Sequence, residues 1–183
     1  MLPIQAYGQA LVWNVELRVK SSDREFDRFF LANYDAVVKA LTLITGDKEQ
    51  ATDAAQEAFI KAYAKWSKIR SYDAPSAWVR RIAINISRDS HRSERRRRRR
   101  ELPHLVSDAD SPAEQIVGDD SARRLLAGLP RRQREVATLF YVDDRGIADI
   151  AAILGLSEGT VKSQLADARE GMRSTVDRDG AER

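Results

Sequence analysis

Between residues 146 and 163 the chain reads Gly146-Ile147-Ala148-Asp149-Ile150-Ala151-Ala152-Ile153-Leu154-Gly155-Leu156-Ser157-Glu158-Gly159-Thr160-Val161-Lys162-Ser163. The apolar spacing predicts two short helices around a tight turn at Gly155, a residue type that adopts the left-handed backbone without steric cost. Ile147, Ile150, Ala151 and Leu154 then face Val161, Leu165, Ala168 and Met172, and Ser157 is placed to cap the second helix. Gly159, Lys162, Ser163, Ala166, Arg169 and Arg173 remain outward, a small and basic face that suits a major groove. With Thr160 at its head, this second helix is the expected recognition element: amides and arginines on phosphates, Lys162, Ser163 and their neighbours on base edges. The competing interpretation is an ordinary helical hairpin with solvated Lys and Arg.

Working outward, the second half continues in helical periods. Ser111-Pro112-Ala113-Glu114 has the form of a capping box with proline in the first turn. Helices are expected over about Glu114–Ala127, Pro130–Val142, Gly146–Leu154 and Ser157–Arg173, with no strand among them. Upstream, Phe26, Phe29, Phe30, Val37, Leu41 and Ile44 suit one helix, and Ala55, Phe59, Ala62, Tyr63 and Trp66 a second. Gly46-Asp47, with Gln50 three residues on, reads as one helix ending and the next being capped. Pro75 starts a third helix: Trp78, Val79, Ile82, Ala83 and Ile86 form its apolar side, while Arg81, Asn85, Arg88 and Arg92 line the other.

That polar stripe runs into Arg95 to Arg100, an unbroken arginine tract followed by Asp108, Asp110, Glu114, Asp119 and Asp120. So dense a basic block suits a polyanion, because each neutralised phosphate releases counterions; a solvated tract is the alternative. Periodicity is lost over residues 95–111, which contain Pro103, and a flexible linker is expected there. Residues 1–22 look like an N-terminal extension. Leu11, Trp13, Val15, Leu17 and Val19 alternate with mostly polar residues at a strand period, without an evident partner strand, and no role is assigned to them.

Composition narrows the function further. The 183 residues contain 31 Lys and Arg against 28 Asp and Glu, a net charge of +3. There is no cysteine, and His91 and His104 are the only histidines, so disulfides, thiolate zinc sites and cysteine nucleophiles are excluded and no metal site is expected. Carboxylates are scattered over helices or sit in the linker, which disfavours metal-assisted nuclease chemistry; no catalytic residue and no cofactor is expected. No run approaches the roughly 20 apolar residues of a membrane span, and no leader pattern opens the chain. A cytoplasmic protein without membrane insertion is expected.

Gly159-Thr160-Val161-Lys162-Ser163 after such a turn resembles both response-regulator output domains and region 4 of sigma factors. The first half separates the two. Asp53-Ala54-Ala55-Gln56-Glu57-Ala58-Phe59 resembles the region 2 motif that docks on core RNA polymerase. Ala77-Trp78-Val79-Arg80-Arg81-Ile82-Ala83-Ile84-Asn85 resembles the promoter-melting segment after it. Leu129-Pro130-Arg131-Arg132-Gln133-Arg134-Glu135-Val136 heads the second unit as in the same family. On these motifs the chain is identified as similar to bacterial sigma factors of the extracytoplasmic-function (ECF) type.

The resemblance implies an all-α protein of two small helical domains joined by a flexible linker. Its parts are an extension (1–22), a region 2 domain (23–94), a linker (95–111), a region 4 helix-turn-helix domain (112–176) and a tail (177–183). It implies a non-enzymatic, monomeric subunit of the polymerase holoenzyme, binding core RNA polymerase and promoter DNA, with an anti-sigma factor as further partner. Asp53, Gln56 and Glu57 would meet the core enzyme; on the residues alone they could equally be a solvated face. The loop over residues 67–74 would form part of a pocket for a base flipped from the minus-ten element, with Tyr72 and Asn85 as its candidates. Arg81, Arg88 and Arg92 would hold adjacent phosphates. Tyr72 could instead pack on Trp78. The minus-thirty-five contacts fall to Thr160, Lys162, Ser163, Ala166, Arg169 and Arg173. Asp108 and Asp110 would mimic nucleic acid in the active-site cleft or belong to a plain tether. Gln164 and Asp167 stand where many relatives carry Arg, which suggests an unusual promoter preference. A stand-alone helix-turn-helix regulator is the alternative function.

Overall fold

The computed structural model describes residues 5–101 and 120–181, and every element among them is an α-helix: α1 (Gln5–Thr45), α2 (Lys48–Ala64), α3 (Trp66–Ile69), α4 (Pro75–Glu101), α5 (Asp120–Ala127), α6 (Arg131–Tyr141), α7 (Ile147–Leu154) and α8 (Glu158–Ala181). The capping box at residues 111–114, the acidic linker residues Asp108 and Asp110 and the first turns expected before α5 lie outside the described residues.

In the first unit, Val37, Leu41 and Ile44 of α1 are buried against α2, whose inner face is nearly all alanine: Ala51, Ala54, Ala55, Ala58 and Ala62. Side chains this small let α1 and α4 approach α2 closely from either side. One end is filled by rings, with Phe26 and Phe29 set 5.3 and 4.8 Å from Trp66 and Phe30 edge-on to Phe59 at 5.0 Å. Gly46, at φ 78°, ends α1, and the Asp47 carboxylate accepts from the Gln50 amide at 3.0 Å to begin α2.

The second unit packs α5, α7 and α8 around α6. Every residue from Arg134 to Leu139 is buried, because α6 is enclosed by α1 as well as by its own neighbours. Gly155 takes φ 67° between α7 and α8, and the Ser157 hydroxyl accepts from the Thr160 amide at 3.1 Å, so turn and cap form as expected. Ile150, Ala151 and Leu154 share a core with Val161 and Leu165. Ala168 and Met172 face instead a second cluster with Leu126, Leu129 and Ala137. Alpha7 is too short to reach them, and α5 and α6 cover that end of α8.

Two expectations are corrected. The N-terminal residues, expected to be an extension with a strand period, form the first half of α1 instead. A lone strand would leave its amides and carbonyls unpaired, whereas a helix satisfies them internally, and Leu11, Val15 and Val19 also recur at helical spacing. The linker does not begin at Arg95, since α4 continues to Glu101; arginine is a good helix former and nothing before Pro103 interrupts the helix.

The two units also pack on one another, α1 against α5 and α6 and α4 against α7, and a single apolar cluster runs from Phe26 and Val79 through to Leu139 and Ile150.

Candidate nucleic-acid and polymerase interface

Alpha4 divides into a buried side and a polar side. Val79, Arg80, Ala83, Ile84 and Ser87 are buried, whereas Arg81, Asn85 and Arg92 are exposed and Arg88 is intermediate. Pro75 fixes where the helix starts, and Tyr72 stands 38% exposed in the loop before it. Tyr72 and Asn85 thus belong to one loop-and-helix unit, with an aromatic and an amide both open to a ligand.

Arg88 is held rather than free. Its Nε and Nη2 donate to Glu135 of α6 at 2.9 and 2.6 Å, and Nη1 donates to the Asn85 side chain at 3.3 Å. Glu135 is 1% exposed and also accepts from Arg132 at 3.2 Å and from Arg131 at 3.4 Å. Three guanidinium groups around one buried carboxylate make that burial tolerable.

Arg80, two turns earlier, enters the interior. Its guanidinium is paired through Nε and Nη2 with Asp143, both side chains 4% exposed, and Nη1 donates to the Ser76 carbonyl at 3.2 Å. Asp143 is carried by the turn after α6, where its amide bonds the Thr138 carbonyl and Asp144 takes φ 51°. Arg134 completes the contact: it donates to the carbonyls of Leu126, Ala127 and Leu129 and, at 3.2 Å, to that of Ile44 at the end of α1. One side chain thereby satisfies carbonyls left open at the ends of two helices.

Arg80, Arg134, Glu135 and Asp143 are functional residues with no individual role legible in the sequence. Arg80 carried a usable signal: it lies between Ser76 and Ala83–Ile84 on the apolar side of α4, where a charge needs a buried partner. Nothing local identifies that partner, which comes from a turn 63 residues away.

On α2, Asp53, Gln56 and Glu57 are all exposed and lie on one flank. Asp53 and Glu57 line an open groove of about 440 Å³ with Asp47, Glu49, Gln50 and, from α4, Ile86 and Ser90. Glu57 also pairs with Lys61 at 2.6 Å. Ile60, 68% exposed, and Tyr63, 54% exposed, extend this outer surface with apolar area. Phe59 and Trp66 are core, at 2% and 5% exposure.

On α8, Gly159, Thr160, Lys162, Ser163, Ala166, Arg169 and Arg173 are all exposed, and so is Asp167, while Val161, Leu165 and Ala168 are buried. Arg169 is the most constrained of the outward set, donating to the Tyr141 hydroxyl at 2.7 Å and lying 5.9 Å from the centre of the Phe140 ring. Thr160 also shares a hydrogen bond with Ser157 at 2.8 Å. Among the described residues no group of His, Asp or Glu could hold a metal ion, and no helix is long and apolar enough to cross a membrane.

Comparison with known proteins is consistent with this geometry. Residues 29–97 match Sigma-70 region 2, and residues 119–172 match Sigma-70, region 4. The chain is 30% identical to the RNA polymerase sigma-H factor of Pseudomonas aeruginosa, covering 91% of this chain and 92% of that protein. It is 32% identical to the ECF RNA polymerase sigma factor SigM of Mycobacterium tuberculosis, covering 79% and 73%. It spans only 40% of the length of a third relative, the "Probable RNA polymerase sigma factor RfaY" of Xanthomonas campestris, at 28% identity. Among solved structures, the sigma factor RpoE of Bartonella quintana, crystallised with the anti-sigma factor NepR, superposes with a TM-score of 0.65 at 24% identity over 84% of this chain and 98% of that one. Two region matches in order, relatives that align over most of both chains and a shared two-unit helical fold place this chain in the sigma-70 family, among the RNA polymerase sigma factors of the extracytoplasmic-function type.

Proposed function

We propose that this chain directs core RNA polymerase to promoters through three surfaces, each assigned to named residues. Asp53, Gln56 and Glu57 on α2 meet the core enzyme, where an acidic and polar flank beside exposed Ile60 suits a helical partner with basic and apolar groups. Tyr72 and Asn85 receive an unstacked base of the minus-ten element, and Arg81, Arg88 and Arg92 hold the phosphates around it. Thr160, Lys162, Ser163, Ala166, Arg169 and Arg173 of α8 read the minus-thirty-five element in the major groove. Bond making belongs to the polymerase; this chain binds, positions and opens DNA, as a cytoplasmic subunit without a cofactor.

The observation that carries the proposal is the pair of outward polar stripes, on α4 and on α8, each backed by a packed core. A solved relative is held by an anti-sigma factor, and we extend that class of partner to this chain. The residue-level reading has a mechanical consequence. A phosphate at Arg88 shares its guanidinium with Glu135, so promoter engagement competes with the ion pair between α4 and α6.

The test is multi-round transcription from fragmented genomic DNA by purified core RNA polymerase, with and without this chain, followed by mapping of transcript starts. Discrete chain-dependent starts sharing two spaced upstream elements are expected. DNA binding without any such starts would refute the proposal in favour of a stand-alone regulator.

A further inference from the structure

The outward face of α8 carries one cation that is already held in place. Arg169 is exposed, yet its Nε donates to the Tyr141 hydroxyl at 2.7 Å and its guanidinium carbon lies 5.9 Å from the centre of the Phe140 ring. Both rings stand at the end of α6, where they meet edge-on at 5.0 Å. Lys162 and Arg173, the other cations of this face, have side chains without a hydrogen bond or ion pair among the described residues. Nor do Nη1 and Nη2 of Arg169 donate to any protein group there. Tyr141 is itself 49% exposed, so burial does not explain an aromatic at this position. Its hydroxyl has one partner, and that partner is on the DNA-facing side of the next unit's recognition helix.

We infer that Tyr141 is a positioning residue for promoter binding: it fixes the Arg169 guanidinium so that Nη1 and Nη2 grip a backbone phosphate at the edge of the minus-thirty-five major groove. The inference rests on the assignment of α8 to the minus-thirty-five element proposed above. Arg169 stands about three turns into α8, roughly 16 Å along the axis from Glu158, its first residue. The major groove is only about 12 Å wide, and helix-turn-helix proteins read bases with the first residues of the recognition helix. A basic side chain so far along the helix meets the phosphate wall of the groove rather than base edges. A guanidinium presents its donors as a planar fork, which takes two phosphate oxygens at once when its orientation is right. Here the Tyr141 hydroxyl occupies the Nε–H, the Phe140 ring lies beside the cation, and the two Nη groups remain as the open end of the fork. Ordering this long side chain before DNA arrives removes an entropic cost from the binding step.

The test measures the closed-complex affinity of holoenzyme over a range of salt concentrations, on a promoter identified by start-site mapping. It compares the parent chain with Tyr141→Phe, Arg169→Gln and the double variant. Tyr141→Phe removes only the hydroxyl that accepts from Nε and keeps the ring, so an unchanged melting temperature is expected. Binding should weaken about two- to ten-fold, the cost of ordering one long side chain. The slope of log affinity against log salt should hold, because the charge still reaches its phosphate. Arg169→Gln is expected to reduce that slope by about 0.9, one phosphate contact, and in its background Tyr141→Phe should cost nothing further. A Tyr141→Phe variant with parental affinity, or one that loses as much without Arg169 as with it, would overturn the inference and leave the assignment of α8 standing. An Arg169→Gln variant with the parent's slope and affinity, or no chain-dependent starts with the parent, would overturn both.

Discussion

Replacing Asp143 by Ala removes the carboxylate that neutralises Arg80, a side chain only 4% exposed. Breaking a buried ion pair from one side costs about 3–5 kcal/mol, because the remaining charge stays out of water. Arg80 keeps a hydrogen bond to the Ser76 carbonyl at 3.2 Å and a marginal one to Asn33 at 3.5 Å, while Arg145, the second guanidinium on Asp143, is 25% exposed and can turn to solvent. These residual contacts place the expected loss at the low end, about 3 kcal/mol, a large share of the 5–15 kcal/mol that holds a typical domain. For a chain of this size that lowers the melting temperature by about 6–12 °C. Urea unfolding followed by circular dichroism gives the free energy, and small-angle scattering shows whether the two units separate. The double variant Arg80→Met/Asp143→Leu, which removes both charges and keeps the volume, is expected within about 1 kcal/mol of the parent. An Asp143→Ala variant within about 0.5 kcal/mol of the parent would refute the pairing of α4 with the turn after α6 as a buried contact.

Other outcomes follow from single features. Gly155→Ala forces a side chain into φ 67° with no neighbour within 4 Å to compensate, so a loss of about 1–2 kcal/mol is expected in chemical denaturation. Thr138→Val removes a fully buried hydroxyl that has no hydrogen-bond partner among the described residues and should raise stability by about 1 kcal/mol, read as a higher urea midpoint. The Tyr63 phenol donates to Asp23 at 3.2 Å, and that bond, followed by the nearby Asp23 and Asp27 charges, holds its pKa above the ordinary phenol value. Its neutral form is the one the fold favours, so its contribution is full below the ordinary phenol pKa and lost as pH rises through the raised value. Ultraviolet titration should show a late phenol step that Tyr63→Phe abolishes.

Most of the helical plan was legible because its signals are local. Gly155, Ser157, Gly46, Asp47 and Pro75 act through their own backbone geometry or through an amide three residues away, and each does in the structure what its type and position predict. The exposed faces of α2, α4 and α8 were legible for a related reason, since a helix with one apolar side leaves the other outward whatever it packs against. The N-terminal segment is ambiguous in sequence because alternation and helical spacing coexist in Leu11, Val15 and Val19, and the end of α4 because dense charge hides helical periodicity.

By itself, then, the sequence determined the helices, their caps and the polar stripes they present, since all of these follow from interactions within about four residues. Tertiary structure alone decided the partners: Arg80 with Asp143, Arg88 with Glu135 and Arg134 with the carbonyl of Ile44. Those pairs join residues 47 to 90 positions apart. A guanidinium has the same local pattern whether it meets water, phosphate or carboxylate, and only packing α4 and α1 against α6, α7 and the turn between them settles which it finds.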